Sequence, residues 1–524
     1  MAKFLYGAAV QGIQNFIFQT DKLQEIVGAS ELVEQICKDK FAELIGKSVD
    51  DLETDKDAIL NAAGNIKYIF DNRADCEKVV RVFPKIISKF APGITLSQAV
   101  IELGDADIEK EFAQFVDKLE DALKAQRNKP MRSSTLGLMA IERSRQTGLP
   151  VVEIVKDEHR DAATKAKLSV NENARNNLCV KAFGTEVSGR EFPFDIEDIT
   201  DKNSWIAIIH ADGNGLGQIV QKVGTNKDLF KTFSKELDNA TKAATQHAYK
   251  DISEKIKYCE RKPLRPIVLG GDDLTIICRA DIALPFTEAF LQHFEQETKT
   301  RLRKQIDKAF ENKEQGGLTA CAGIAYIKAS FPFSFGYELA EQLCTAAKKD
   351  AKYSDEIKRG ERLPQSCVMF HKVQDSFVED YKQIAERELK PQPNISFQYG
   401  PYYLKDSQRD DKNIRMTIET LNYKVGLLNS KDNKEGNAVK SHLRQWMTLL
   451  HDDPQKAQQH ISRLYSNIKD PKLKNLVSEI ISKTQRIESI DNKDVTFYPI
   501  YDILAIHTIN TQTTKIEDNK EEKL

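Results

Sequence analysis

The stretch PIVLGGDDLTIIC, residues 266–278, places two glycines and two aspartates between runs rich in Ile, Val, Leu and Cys. Apolar runs of this length around a glycine pair predict a β-hairpin. Gly270 and Gly271 suit its tight turn because glycine takes positive φ without steric cost. Asp272 and Asp273 sit in the same turn, so the hairpin is either a plain connection or one that carries metal.

The flanking sequence bears on that choice. WIAIIHAD (205–212) reads as a buried strand ending on Asp212. A long helix follows, with Phe230, Phe233, Leu237, Ala244, Ile252 and Ile256 on one face. Beyond the hairpin come a second helix, the strand LTACAGIAYI (318–327) and the helix GYELAEQLCTAAKKDAKYSD (336–355). This β-α-β-β-α-β-α order predicts a ferredoxin-like unit, a four-stranded antiparallel sheet with helices on one face. In such a unit the first strand neighbours the hairpin, which brings Asp212 beside Asp272 and Asp273. Crowded carboxylates repel one another unless a cation lies between them. Hard oxygens in a small site favour Mg²⁺ or Mn²⁺ shared with substrate phosphates, and two such ions are expected, with no organic cofactor.

Two further features point to a phosphate-bearing substrate. ADGNGLG after the first strand supplies Gly213, Asn214, Gly215 and Gly217 at a helix entry, where free backbone N–H groups can cradle a triphosphate. Lys348 and Lys352 lie four apart in the late helix, so they are expected on one face, reaching the terminal phosphates.

Composition narrows the function classes. With 524 residues the chain is too long for one core and predicts two to four domains. Its 77 basic and 79 acidic residues nearly balance, which argues against a global nucleic-acid-binding field. No apolar run is long enough to span a membrane, and the N-terminus does not read as a signal peptide. The eight cysteines are scattered and form no C-x-x-C pair, the pattern of reduced core thiols in a cytoplasmic protein.

The chain divides into sections. Residues 1–130 repeat the β-α-β-β order more weakly, with AAGNIKYIFDN (62–72) as the hairpin equivalent, which suggests an internal duplication. Residues 131–200 are polar and punctuated and read as an irregular connector. Residues 201–375 hold the GGDD unit. Residues 376–511 read as an α-helical domain, with Val439, Leu443, Trp446 and Leu450 on one helix face and Ala457, Ile461, Leu464 and Ile468 on another. Residues 512–524 read as a disordered tail. The fold class is therefore α+β.

The 201–375 section resembles the palm domain shared by GGDEF-type nucleotide cyclases and the large polymerase/cyclase subunit of type III CRISPR effector complexes. Its GGDD turn places it nearer the CRISPR branch. IHADGNGLG (209–217) resembles that family's first metal motif, and GAAVQGIQNFIFQTDKLQEIVGASELV (7–33) resembles its first, degenerate palm. The resemblance implies two ferredoxin-like palms. It also implies Asp212, Asp272 and Asp273 as catalytic metal ligands, with Gly270 and Gly271 under the nucleotide. Gly213, Asn214 and Gly215 would cover the phosphates, and Lys348 and Lys352 would pair with them. The implied reaction condenses ATP into cyclic or linear oligoadenylates for antiviral defence. RNA and small helical CRISPR-type subunits are the implied partners, the latter docking on the C-terminal domain.

Three departures stand out. Asn214 replaces a second aspartate often present in the family. The only His-Asp step near a helix, His451-Asp452, reads as a helix end before Pro454, so a reduced form without an HD nuclease is expected. The connector lacks zinc cysteines, and RSRQTGLPVVEI (143–154) looks like a relic of that region. In the first palm, Gly64 and Asn65 stand where the acidic pair would be, so that palm either holds an acceptor nucleotide or serves as a scaffold.

Other features have plain readings. His210 is expected on the strand face opposite Asp212. Phe331, Phe333 and Phe335 read as packing residues, and YGPYYL (399–404) as a structural corner. Two competing functions remain: a weakly catalytic or inactive scaffold subunit of an RNA-guided complex, and a diguanylate-cyclase-like enzyme using GTP.

Overall fold

The computed structural model describes every residue except 1–2, 63, 105–107, 130–138, 201–203, 224–225, 258, 260, 311–315, 375–379, 407–414, 429–433, 470, 482–485, 491–492 and 522–524. The first unit runs β1 (Lys3–Gln11), α1 (Ile13–Ile17), α2 (Leu23–Gln35), β2 (Ala58–Ala62), β3 (Asn65–Phe70), α3 (Arg73–Phe90), β4 (Thr95–Gly104) and α4 (Ile108–Arg127). Its sheet has the order β2-β3-β1-β4, antiparallel throughout. The β2–β3 turn falls at Gly64, whose φ is 76°, where the sequence places the hairpin.

The connector is more regular than expected. It folds as a hairpin of β5 (Val151–Val155) and β6 (Glu158–Asp161), then α5 (Ala162–Ser169) and α6 (Asn171–Phe183). Asp161 caps α5 by accepting from the Thr164 N–H, and α5 packs so closely on α2 that a Cβ on Gly28 would lie 2.0 Å from the Lys167 carbonyl oxygen. Tertiary packing, rather than an amphipathic period, sets these elements. Much of NKPMRSSTLGL (128–138) lies outside the described residues.

The second unit contains β7 (Trp205–Gly213), α7 (Leu216–Val223), α8 (Lys227–Ile252), β8 (Leu264–Gly270), β9 (Asp273–Arg279), α9 (Ala280–Arg301), β10 (Ala320–Lys328) and α10 (Phe333–Ala351). Strands β8-β9-β7-β10 pair antiparallel in the same relative order as the first sheet. The sheet is not four-stranded. It is extended by β11 (Cys367–Lys372), parallel to β10, and past the two-residue β12 (Ile395–Ser396) by β13 (Tyr402–Tyr403). Nor are the helices on one face only. Ile206 to Ala211 are all buried, because α8 and α9 cover one face and α10 the other. A strand covered on both sides reads as an unbroken apolar run, which is what WIAIIHAD is.

The C-terminal region contains α11 (Ile418–Leu427), α12 (Lys434–Asp452), α13 (Pro454–Asn467), α14 (Pro471–Ile481) and α15 (Ile500–Glu521). Val439, Leu443, Trp446, Leu450, Ala457, Ile461 and Leu464 are buried as their spacing predicts, whereas Ile468 lies one residue past α13 as its C-cap. The region is not purely helical. Strands β14 (Arg486–Ile490) and β15 (Lys493–Phe497) pair with β12. Helix α15 continues to Glu521, past the start of the expected tail at 512. The stretch has no Gly or Pro to stop a helix and ends in helix-forming Glu and Lys. Residues 522–524 lie outside the described residues.

Several plain readings hold. His451 and Asp452 close α12, and Asp453 caps α13 ahead of Pro454. Of the three phenylalanines read as packing residues, Phe333 is fully buried at the start of α10 and Phe331 partly buried, whereas Phe335 is exposed. Tyr402 and Tyr403 are buried, with hydroxyls donated to Asp502 and Asp350 at 2.6 and 2.8 Å.

Candidate active site

The GGDD turn is a two-residue connection, with Gly270 paired to Asp273 across it. Only Gly271 has positive φ, at 63°, so Gly270 does not need the left-handed freedom expected of it. Helix α8 braces the turn: the Gly271 N–H donates to Asp238 Oδ1 at 3.2 Å, and the Thr241 hydroxyl donates to the Gly271 carbonyl at 2.6 Å. Neither glycine has an atom within 4 Å of an added Cβ. Gly271→Ala is therefore expected to destabilise by about 1–2 kcal/mol from backbone strain alone. Gly270→Ala is expected to be neutral or stabilising by up to about 1 kcal/mol, since only the unfolded chain loses freedom. Urea unfolding of the two variants checks the contrast.

Strand pairing then assembles the acidic cluster. Ala211 on β7 is opposite Leu274 on β9, so Asp212 comes level with the turn. One carboxylate oxygen each from Asp212, Asp272 and Asp273 lies within 4.8 Å of the others, as the hairpin reading required. Among the described residues no other set of three His, Cys, Asp or Glu comes as close. Gly213 makes room for it: a Cβ there would sit 3.0 Å from both Cβ and Oδ2 of Asp272.

The electrostatics are those of a site short of positive charge. Burial, the Asp273 charge and a hydrogen bond with Asp212 hold the Asp272 carboxyl well above the usual range. The pKa of Asp273 is pushed up to about 7, by surrounding protein atoms first and by Asp212 second. Asp273 as a residue is nevertheless exposed, so repulsion from Asp212 is the cause that survives contact with water. Lys348 supplies the local cation. Its amine pairs with Asp212 Oδ2 and donates to the Gly213 carbonyl oxygen at 2.8 Å. Burial opposes its charge, but the attraction of Asp212 prevails and its pKa is raised. A crowded set of hard carboxylate oxygens fits a divalent cation.

The proton balance has a measurable consequence. Between the ordinary carboxylate value of 3.8 and about 7, the folded protein holds a proton on Asp273 that the unfolded chain releases. Without metal, this contribution to stability is full below that window and is lost as pH rises through it. Metal binding needs the ionised forms, so stabilisation by Mg²⁺ or Mn²⁺ is expected to grow from pH 5 to pH 8. Melting curves at several pH values, with and without metal, test both signs.

The other expected site residues divide. Gly215 takes φ 70° and opens α7, accepting from the Gln218 N–H at 3.1 Å. Asn214 turns inward instead of covering a ligand. It is 1% exposed, and its backbone N–H and side-chain amide bond to the Thr319 carbonyl oxygen and hydroxyl at 2.8 and 3.1 Å. Lys352 does not share a face with Lys348, because α10 ends at Ala351 and Lys352 is its exposed C-cap residue. His210 is on the same face as Asp212, since residues two apart on a strand point the same way. It is buried, bonds to the Thr275 hydroxyl at 3.1 Å and meets the Tyr337 ring edge-on. The sequence reading missed Asp238, Thr241, Tyr337 and Glu341. Glu341 lies seven residues before Lys348, a two-turn spacing that places both on one side of α10.

With this geometry in view, a family model described as Cas10/Cmr2, second palm domain, matches residues 205–357. The match takes in the whole acidic cluster and Lys348. The chain resembles the large subunit of type III CRISPR effector complexes. Solved structures extend the likeness. A chain of the Csm1-Csm4 cassette in complex with pppApA matches at 14% identity, covering 97% of this chain and 69% of that one, with a TM-score of 0.57. The same cassette with AMPPNP matches at 14% identity and the same coverage, with a TM-score of 0.53. The Csm1-Csm4 subcomplex of the type III-A CRISPR-Csm interference complex matches likewise, at 14% identity and a TM-score of 0.51. At such identity the likeness is one of fold. No curated protein matches the chain by sequence. The chain thus has a Cas10-type palm of the nucleotidyltransferase/cyclase kind with an acidic cluster able to hold a metal ion. Among the described residues no helix is long and apolar enough to cross a membrane.

Proposed function

We propose that this chain is a metal-dependent nucleotidyltransferase that condenses ATP into cyclic or linear oligoadenylates, signals in antiviral defence. The observation that carries the reading is the meeting of Asp212, Asp272 and Asp273 within 4.8 Å at the hairpin turn, with Lys348 beside them. The two units are read as two ferredoxin-like palms, the first without carboxylates at its turn. The domain divisions are those of the sequence, at about 130, 200 and 375, with the second sheet taking its edge strand β13 (Tyr402–Tyr403) from beyond the last of them.

The 3′ hydroxyl of one nucleotide attacks the α-phosphorus of the next. A 3′–5′ phosphodiester forms, the bond from the α-phosphorus to the bridging oxygen breaks, pyrophosphate leaves and the hydroxyl proton passes to solvent. Asp212, Asp272 and Asp273 would hold two divalent ions, which when bound neutralise phosphate charge and lower the pKa of the attacking hydroxyl. Lys348 is placed to leave Asp212 for the terminal phosphates of a bound triphosphate, a point charge well suited to them. The turn at Gly270 and Gly271 lies under the nucleotide, and the Gly213–Gly215 loop borders its phosphates.

Cassettes of related fold bind pppApA and AMPPNP, which supports an adenine nucleotide as substrate. The pairing of Csm1 with Csm4 in those cassettes supports a CRISPR-type partner subunit here, and RNA as a trigger belongs to the same reading. A cytoplasmic site of action fits eight free cysteines. Incubation with each labelled nucleoside triphosphate and either metal, with and without RNA, tests the proposal. Oligoadenylates resolved by mass are expected from ATP. A product from GTP alone would favour the diguanylate-cyclase-like reading, and no product under any condition would favour the scaffold.

A further inference from the structure

Helix α10 carries Lys348 near its C-terminal end, and its N-terminal half is gripped by a short segment of the first unit. The Ser334 N–H at the helix start donates to Asp21 Oδ1 at 3.3 Å. One turn on, the Tyr337 ring stacks on Phe18 with centroids 3.7 Å apart. A further turn on, Glu341 Oε1 accepts from Gln14 Nε2 at 2.9 Å, and the same amide reaches the Tyr337 hydroxyl at 3.4 Å. These partners are more than 300 residues apart in sequence. Gln14 is brought there by α1, which Gly12 starts with φ 69° directly after β1.

The spacing along α10 makes this grip consequential. Ser334, Tyr337, Glu341 and Lys348 follow one another at three, four and seven residues, so they run along one side of the helix. The carboxylate cluster meets that side at Asp212, and Tyr337 touches His210 on the same strand. A rigid helix held over its first three turns fixes where its fifth turn delivers an amine.

We propose that the segment 14–21 positions Lys348 at the carboxylate cluster by clamping α10, with Gln14 and Glu341 as the positioning pair. Neither is a catalytic residue, since both act through Lys348. The inference deepens the synthase reading and rests on it only for what Lys348 meets, the phosphates of a nucleoside triphosphate. The first unit then serves the active palm by holding its lysine helix.

The test reads Lys348 directly. The full chain is acylated briefly with acetic anhydride, and modification of individual lysines is followed by mass spectrometry, with Lys89 and Lys299 as internal references. Gln14 is exposed, so Gln14→Ala leaves the core intact. Gln14→Ala and Glu341→Ala are expected to raise Lys348 labelling several-fold with the references unchanged. Glu341→Gln, which keeps an oxygen acceptor for the Gln14 amide, is expected to label as the unsubstituted chain does. General loosening would raise all lysines together and overturn the proposal, as would unchanged Lys348 labelling in both alanine variants. Labelling needs no turnover. If the unsubstituted chain makes no product, the synthase reading fails while the labelling still decides the clamp.

Discussion

Asp272→Ala combined with Asp273→Ala is expected to abolish nucleotide turnover, by on the order of a thousandfold or more, in a protein that still folds. Loss of one preorganised electrostatic contact in an active site costs about 10²–10³ in rate. Here two of three carboxylates leave at once, and Asp212 alone with Lys348 forms an ion pair rather than a metal site. The fold should not suffer. Both side chains lie at a turn whose bracing comes from the Gly271 backbone, Asp238 and Thr241. Removing crowded carboxylates also relieves the repulsion that raises their pKa values. Metal-free protein carrying the double substitution should melt no lower than the parent at neutral pH, and metal should no longer raise its melting temperature. Turnover assays and paired melting curves check both halves.

Gly323→Val carries the largest expected effect on stability. Gly323 sits in β10 where α10 crosses, and a Cβ there would lie 2.0 Å from the Ala340 carbonyl oxygen and 2.5 Å from the Cys344 backbone nitrogen. Those atoms belong to helix backbone, so the helix itself must move. Overpacking of this kind costs about 1–3 kcal/mol, sometimes more. The strain falls midway along α10, on the turn that carries the clamped Glu341 and one turn before Lys348. Urea unfolding should show the loss of stability, and turnover should fall in the fraction that remains folded. Gly28→Val, against the Lys167 carbonyl, should destabilise by the same means at a distance from the acidic cluster.

The parts of the fold legible in the sequence were those with a strong local signal. The GGDD hairpin, the buried strand ending in Asp212, the one-sided helix 227–252 and the repeated β-α-β-β order all follow from period and punctuation. The repeat is visible in space as two sheets of the same relative strand order. The missed features are non-local. Strand β11 pairs in parallel with β10 after a long excursion, and β12 and β13 are two residues each, too short for alternation to register. Helices cover both faces of the second sheet because α10 returns across it, which the order of elements alone does not require.

The site divides along the same line. Asp212, Asp272 and Asp273 could be assembled from topology, because ladder neighbours are implied by the element order. Lys348 reaches Asp212 from its place on the late helix, whereas Lys352 lies off that face because the helix stops one residue before it. Asn214 sits in a loop whose sequence suggests ligand contact, yet its side-chain N–H donates to the hydroxyl of Thr319, a partner 105 residues away. His210 shares the strand face of Asp212 rather than the opposite one, since residues i and i+2 point the same way. Gln14 and Glu341 are 327 residues apart, and no local pattern in either segment announces the other.

The most direct measurement is pyrophosphate release from ATP by the purified chain with Mg²⁺ or Mn²⁺, with and without RNA, beside the Asp272→Ala, Asp273→Ala double variant. The account predicts release that requires the divalent ion and disappears in the double variant. Release that persists without the two aspartates, or none from the unsubstituted chain under any of these conditions, would contradict it.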